Sequence, residues 1–199
     1  MTRIKFCGLS RVQDIEAANL LRPDYVGFVF WPKSKRFISP ELAGRLRSLL
    51  APEIQAVGVF LDERPENISA LSEAGIIDVI QLHGKEDNDY ISHLRDLTGK
   101  TIIKSFKADD VITAQHTTAD YVMFDSGAGT GQIFTWSLIR SFPRPYFLAG
   151  GLNPENVASA ITELKPFAVD VSTGIETEGV KDESKMAAFA EAVRKGEKL

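Results

Sequence analysis

Short apolar runs alternate with longer amphipathic segments along the whole chain. Eight of these runs are rich in β-branched and aromatic residues and have the length of β-strands. Several are almost continuously apolar, as strands buried on both faces of a parallel sheet must be. The predicted strands are Arg3–Cys7, Tyr25–Phe30, Gln55–Phe60, Val79–Leu82, Thr101–Ser105, Tyr121–Asp125, Tyr146–Ala149 and Ala168–Val171.

The segments between these runs carry helical patterns and helix start signals. Ser39 precedes Pro40, and Asn153 precedes Pro154. In each pair, a residue that can cap a helix is followed by proline, which is favoured at the first helical position. The predicted helices are Asp14–Leu21, Pro40–Leu50, Glu155–Leu164 and Glu183–Lys195, and the connection Phe106–Ala119 is only weakly helical.

Eight strands that each lead into a helix or a short connection predict an α/β fold with a parallel sheet. Eight such units favour a closed (β/α)8 TIM barrel over an open doubly wound sheet. With 199 residues the chain is short for this barrel, so short loops are expected. No linker, low-complexity tract or charge block marks a boundary, and residues 1–199 are expected to form a single domain.

Composition and charge narrow the classes of function. The net charge of -4 argues against a general nucleic-acid-binding protein, which would carry an excess of Lys and Arg. The single cysteine, Cys7, excludes an intrachain disulfide and favours a reducing compartment. Neither a signal peptide nor a membrane-spanning run is visible, so we expect a cytoplasmic protein.

In a parallel barrel the active site forms at the carboxyl ends of the strands, so the residues that end the strands are the first candidates. Cys7 ends the first strand and is either a small buried hydrophobe or a nucleophile or proton acceptor, which needs a cation or helix terminus nearby. Asp125 ends the sixth strand after four apolar residues. It is either a loop hydrogen-bond acceptor or a general acid kept protonated by apolar surroundings.

The ends of the last two strands are rich in glycine. Gly150 and Gly151 follow strand seven, and Ser172, Thr173 and Gly174 follow strand eight. Either group alone is typical of an ordinary turn. Together they lie where many barrels bind a phosphate through backbone N–H groups, so we predict a phosphate site there.

The loop over residues 31–37 concentrates three positive charges in an acidic protein. Its two lysines are expected to be solvated, whereas Arg36 has the planar guanidinium that binds a carboxylate. Gln81 and His83 end strand four and are expected to line the pocket. His83 has no second ligand at metal-binding spacing, so no metal site is predicted.

The segment Gly127–Gly131 has the spacing that begins a dinucleotide-binding motif. The third glycine of that motif would fall at position 132, which is Gln132, and no acidic ribose ligand follows at the expected offset. We therefore interpret the segment as backbone that can approach a ligand closely. A G-x-S-x-G nucleophile elbow is not recognisable either.

Taken in order, the strand ends resemble the phosphoribosylanthranilate isomerase family. The matching segments run from Lys5 to Asp182: KFCGLSR, DYVGFVFWPKSKRF, AVGVF, IQLHG, FDSGAGTGQIFTW, FLAGGLNPENV and VDVSTGIETEGVKD. The first of them together with STGIE is highly specific. The sequence departs from the usual family pattern at Lys35, Ala128 and Thr173, where Pro, Gly and Ser are common.

The resemblance implies an isomerase of tryptophan biosynthesis. It converts N-(5'-phosphoribosyl)anthranilate to 1-(2-carboxyphenylamino)-1-deoxyribulose 5-phosphate by an Amadori rearrangement, without a cofactor. Asp125 is then the general acid that protonates the ribose ring oxygen, and Cys7 is the general base that removes the C2' proton. Arg36 holds the anthranilate carboxylate, the ends of strands seven and eight hold the phosphate, and His83 lines the pocket in an unassigned role.

Two rival functions stay open at this point. The related histidine-pathway isomerase performs the same rearrangement on another aminoribosyl phosphate, and that family looks to use an aspartate where this chain has Cys7. A non-catalytic sugar-phosphate-binding barrel is expected to lack Cys7 or Asp125, and both are present. The expected partner is a small-molecule substrate, with no nucleic acid and no membrane, and the oligomeric state is either monomer or homodimer.

Overall fold

The computed structural model describes residues 1–125 and 136–196. Within these ranges, parallel strands form a closed barrel in which each strand pairs with its neighbours along the chain and the eighth pairs with the first. The strands are β1 (Arg3–Cys7), β2 (Tyr25–Val29), β3 (Gln55–Phe60), β4 (Val79–Leu82), β5 (Thr101–Lys107), β6 (Tyr121–Asp125), β7 (Tyr146–Leu148) and β8 (Ala168–Val171). The predicted parallel barrel is confirmed.

Helices surround the barrel and connect its strands. Those described are α1 (Val12–Leu21), α2 (Pro40–Leu49), α3 (Pro65–Glu73), α4 (Asn88–Thr98), α5 (Val111–Gln115), α6 (Val157–Leu164) and α7 (Glu183–Gly196). Short 3-10 turns cover Ala108–Asp110, Trp136–Leu138 and Thr173–Ile175. Between β8 and α7 the chain forms an antiparallel hairpin of β9 (Glu176–Thr177) and β10 (Val180–Lys181). Over the described ranges, no helix is long and apolar enough to cross a membrane.

Most element boundaries lie where the apolar pattern places them, with small differences that have local causes. The fifth strand continues past Ser105 because its ladder with β6 extends to the pair Lys107–Asp125. The weakly helical connection after it contains a 3-10 turn at Ala108–Asp110 and the short α5. The helix predicted from Glu155 begins at Val157, because the Asn153 side chain accepts the next backbone N–H groups and forms a turn before the helix.

The start of α2 follows the predicted physics. The Ser39 hydroxyl oxygen accepts the backbone N–H of Leu42 at 3.3 Å, and Pro40 occupies the first turn, where no intrahelical donor is needed. Inner faces of the helices then pack on the outward-facing side chains of the strands. In α1 this face includes Ile15 and Ala18, which are fully buried.

The barrel interior has two layers of different chemistry. The layer toward the amino ends of the strands is apolar and consists of Tyr25, Val57, Val79, Ile103, Met123, Phe147, Ala149 and Ala168. Buried polar side chains of Lys5, Gln81, Ser105 and Asp170 occupy inward-facing positions nearer the carboxyl ends. The strands are buried on both faces, which explains their nearly continuous apolar sequences. Burying polar side chains in such an interior is unfavourable unless they are paired, so their presence near the mouth points to a function.

We predict that Phe147→Ala lowers the free energy of unfolding by about 3–5 kcal/mol, because the ring fills the centre of the apolar layer and its loss leaves a cavity. Urea-induced unfolding followed by circular dichroism measures the change. Leu97→Ala on the exposed face of α4 is the matched control and should change stability by no more than about 0.5 kcal/mol. Equal losses in the two variants would contradict a packed barrel interior.

Candidate active site

Several of the predicted site residues come together at the carboxyl ends of the strands. His83 Nε2, just beyond β4, lies 3.8 Å from Asp125 Oδ2 at the end of β6. The Ser172 hydroxyl, just beyond β8, donates to the backbone carbonyl of Cys7 at the end of β1, at 3.1 Å. The barrel mouth thus holds a thiol, a carboxyl group and an imidazole on separate strands, which suits acid–base chemistry.

Cys7 points into the barrel mouth, where it is 8% exposed and packs against Val29 and Val59. Burial raises the pKa of its thiol above the ordinary value, and Asp170 acts in the same direction. Lys5 and Lys181 act against this rise. The nearby cations that a proton-accepting cysteine requires are therefore present, although burial has the larger effect on the pKa.

Arg36 reaches the mouth because the residue that follows β1 is a glycine. Gly8 has a φ of +79°, and a β-carbon on it would lie only 2.5 Å from Arg36 Cδ. The aliphatic part of Arg36 therefore lies directly over Gly8. In the loop that carries Arg36, the Ser34 hydroxyl oxygen accepts the Arg36 backbone N–H at 3.1 Å, which forms a tight turn across Lys35.

The Arg36 guanidinium forms a bidentate ion pair with Glu176 in β9. Nε donates to Oε1 at 2.6 Å and Nη2 donates to Oε2 at 2.7 Å, and these bonds raise the pKa of Arg36. Nη2 also donates to the Thr173 hydroxyl at 3.2 Å. Two nitrogens of the guanidinium, Nε and Nη2, are thus bonded to Glu176 and Thr173, which fixes the plane of the group.

Sequence reasoning missed Lys181, which joins the β9–β10 hairpin to the loop after β8. Its ammonium donates to Glu176 Oε1 at 2.6 Å and to the backbone and side-chain oxygens of Ser172 at 2.9 and 3.2 Å. Burial lowers the pKa of Lys181, while Glu176 opposes this change. Glu176 was missed as well, although both residues lie within the family-like segment VDVSTGIETEGVKD.

The two glycine-rich loops touch each other, as the predicted phosphate site requires. Gly150 and Gly151 have positive φ angles of 85° and 69°. A β-carbon on Gly174 would lie 2.0 Å from the Leu152 carbonyl oxygen, so only glycine allows the loops to approach this closely. The Asn156 side chain also donates to the Gly151 carbonyl at 2.9 Å and fixes the turn after β7.

Gln81 and His83 lie at the fourth strand end. Gln81 is buried, and its Nε2 lies 3.4 Å from both His83 Nδ1 and Ser105 Oγ and 3.2 Å from Met123 Sδ. The Gln81 side chain thus contacts the ring of His83, whose other nitrogen, Nε2, faces Asp125.

A buried ion pair fixes the loop that follows His83. Lys104 Nζ donates to the Gly84 carbonyl at 2.7 Å and to Glu86 Oε2 at 3.1 Å. The same carboxylate oxygen accepts the Gly84 backbone N–H at 2.9 Å. Lys104 thus binds the carbonyl of Gly84 and Glu86 binds its N–H, which fixes the backbone next to His83 at the barrel mouth.

The segment Gly127–Gly131, interpreted as backbone that approaches a ligand, lies outside the described residues. Within residues 1–125 and 136–196, no group of three or more His, Cys, Asp and Glu side chains is placed to hold a metal ion.

Comparison with known proteins agrees with this geometry. Residues 4–192 match the family described as N-(5'phosphoribosyl)anthranilate (PRA) isomerase. A protein named N-(5'-phosphoribosyl)anthranilate isomerase from Endomicrobium trichonymphae is 44% identical, over 98% of this chain and 99% of its own length. One of the same name from a Thermoanaerobacter species is 45% identical over 98% of both chains.

Solved structures give the same result. The crystal structure of phosphoribosyl anthranilate isomerase from Thermotoga maritima superposes with a TM-score of 0.88 at 36% identity, covering 98% of this chain and 100% of that one. A phosphoribosyl anthranilate isomerase in complex with reduced 1-(o-carboxyphenylamino)-1-deoxyribulose 5-phosphate superposes with a TM-score of 0.86 at 36% identity and the same coverage. The chain belongs to the N-(5'-phosphoribosyl)anthranilate isomerase family.

Proposed function

We propose that this chain converts N-(5'-phosphoribosyl)anthranilate to 1-(2-carboxyphenylamino)-1-deoxyribulose 5-phosphate, with Asp125 as general acid and Cys7 as general base. The observation that carries the assignment is the placement of both groups at strand ends of one barrel mouth, with Arg36 and the glycine-rich loops around them. Family membership and the relative that binds a reduced form of the product support it.

The first step opens the ribose ring. Asp125 donates a proton to the ring oxygen while the bond between that oxygen and C1' breaks, and the nitrogen lone pair of the anthranilate forms the C=N bond of a Schiff base. The imidazole of His83 lies 3.8 Å from Asp125, which places a polar partner beside the carboxyl group as its charge develops.

The second step moves a proton from carbon to sulfur. The Cys7 thiolate takes the proton from C2'. The electron pair of that C–H bond forms a C1'=C2' double bond, and the C=N electrons return to nitrogen to give a neutral enolamine. The enolamine then tautomerises to the ketone. Reactant and product are isomers, so no atom or electron enters from another molecule. General acid and base groups in such positions each contribute about 10²- to 10⁴-fold in rate.

Both ends of the substrate are held away from the reacting carbons. Nη1 of Arg36 receives the anthranilate carboxylate, because Nε and Nη2 already donate to Glu176 and Thr173. Backbone N–H groups of the loops after β7 and β8 receive the phosphate. Since the Thr173 hydroxyl contacts Arg36, its contribution to the phosphate comes from its backbone. Fixing two charged ends orients C1' and C2' between the acid and the base.

Assembly and location stay predictions from the sequence: a cytoplasmic protein that is a monomer or a homodimer. A structurally similar Thermotoga maritima isomerase is described as dimeric, at 37% identity and a TM-score of 0.88. Sedimentation equilibrium of the purified chain distinguishes the two states by mass.

We predict that Cys7→Ala and Asp125→Asn each lower kcat by about 10²- to 10⁴-fold, because each removes one proton-transfer group. The loss of substrate fluorescence, with the substrate formed in situ from anthranilate and phosphoribosyl pyrophosphate, measures the rate. Asp96→Asn on the surface of α4 is the control and should keep wild-type kcat. Near-normal kcat in a folded Cys7→Ala or Asp125→Asn variant would remove that residue from the mechanism.

The choice of substrate has its own test. A higher kcat/KM for the histidine-pathway substrate than for the anthranilate substrate would overturn it.

Arg36→Ala should raise KM chiefly, because the carboxylate is bound equally in the ground and transition states. Gly8→Ala should raise KM about tenfold as well, since a methyl group there collides with the Arg36 side chain. Gly99→Ala is the matched control: Gly99 also has a positive φ, 61°, but no atom lies within 4 Å of a β-carbon at that position. Steady-state kinetics of the three variants test this. Unchanged KM in Gly8→Ala would contradict the proposed role of Arg36.

A further inference from the structure

The barrel interior contains an ion pair that the mechanism above does not use. Lys5 is fully buried, and its Nζ donates to Asp170 Oδ1 at 2.6 Å. The two residues are direct partners in the parallel pairing of β1 with β8. Taking two charges out of water is costly, and well-packed apolar residues often serve stability equally well. Stability alone therefore does not explain why Lys5 and Asp170 are buried here.

The position of Gly27 shows where the Lys5 ammonium lies. Gly27 is the partner of Cys7 in the pairing of β1 with β2 and faces the barrel interior. A β-carbon on Gly27 would lie 2.8 Å from Cys7 Sγ and 3.2 Å from Lys5 Nζ. The sulfur and the ammonium thus both border the small space that the missing side chain leaves. Lys5 is the buried cation on the inner side of the thiol.

Three cations and one carboxylate lie near the thiol, and the cations differ in their ion-pair partners and in the side from which they approach. Lys181 and Arg36 approach from the barrel mouth, and both are paired with Glu176. Lys5 approaches from inside the barrel and is paired with Asp170. Burial lowers the pKa of Lys5, but Asp170 and Cys7 together raise it above its ordinary value, so its ammonium stays charged.

We propose that Lys5 is a positioning residue for the base: its ammonium stabilises the Cys7 thiolate, and Asp170 holds that ammonium in place beside the sulfur. The thiolate is the form that accepts the C2' proton, and it lies where burial disfavours its charge. When the proton arrives the sulfur becomes neutral, and the Lys5–Asp170 pair remains as a balanced pair. The proposal rests on the role of Cys7 given above.

The test uses the fact that Cys7 is the only cysteine of the chain. The rate of alkylation by iodoacetamide as a function of pH therefore reports the thiolate of Cys7 alone and needs no substrate. In Lys5→Met we expect the alkylation rate at pH 8 to fall about tenfold or more and the profile to move to higher pH, since the buried positive charge nearest the thiolate on its inner side is lost. The pH profile of kcat/KM should move in the same direction.

Asp170→Asn should shift the alkylation profile the opposite way, because it removes a negative charge near the sulfur and leaves the ammonium. A purely structural role of the pair does not produce opposite shifts. The double variant Lys5→Met/Asp170→Asn carries no unpaired buried charge, so it covers the case in which Lys5→Met alone fails to fold, and it should still alkylate more slowly than Asp170→Asn.

Arg47→Met is the control for removing an ion-paired cation elsewhere, since Arg47 pairs with Asp78 away from the barrel mouth, and it should leave the alkylation profile unchanged. Alkylation profiles of folded Lys5→Met and Asp170→Asn within twofold of wild type would overturn the proposal. A shifted alkylation profile with an unchanged profile of kcat/KM would support the contact between Lys5 and the thiolate but overturn the role of Cys7 as base. The two failures are therefore distinguishable.

Discussion

The pairing of β1 with β8 closes the barrel, and the chemistry of the mouth depends on its register. That register sets Lys5 opposite Asp170 and brings the loop after β8 to the carbonyl of Cys7. Successive residues of a strand face opposite sides, so a slip of one residue would turn the thiol and its charged neighbour away from the interior together. Because the pair joins the first and last strands, its geometry follows from closure of the whole sheet.

Glu176 organises the outer half of the same site. Its nearly buried carboxylate binds both Arg36 and Lys181, so two cations share one anion beside the loop after β8. The side chains in this cluster therefore carry an excess positive charge within a chain whose net charge is -4. A ligand carboxylate would balance that excess. The ion pairs also make the guanidinium rigid, which lowers the entropy lost when a planar anion binds.

The sequence alone was sufficient for the strands and strand ends, since continuous apolar runs and the residues that terminate them are local features. It was not sufficient for Glu176 or for the pair of Lys5 with Asp170, whose partners lie 140 and 165 positions away along the chain. A charged residue is usually solvated, so it carries little signal in isolation. One signal was present, because both Lys5 and Asp170 interrupt apolar runs assigned to strands buried on both faces.

The two layers of the barrel interior explain how such charges are tolerated. The apolar layer toward the amino ends buries aromatic and aliphatic side chains and contributes to stability, while the charged layer lies next to the mouth. Arg36, at the mouth, keeps part of its hydration until a ligand covers it, because its side chain is 29% exposed, whereas the fold itself buries Lys5 completely. Once water is displaced, each ionic interaction at the mouth strengthens. The inner pair is therefore desolvated when the chain folds, and the remaining desolvation takes place at Arg36 when a ligand binds.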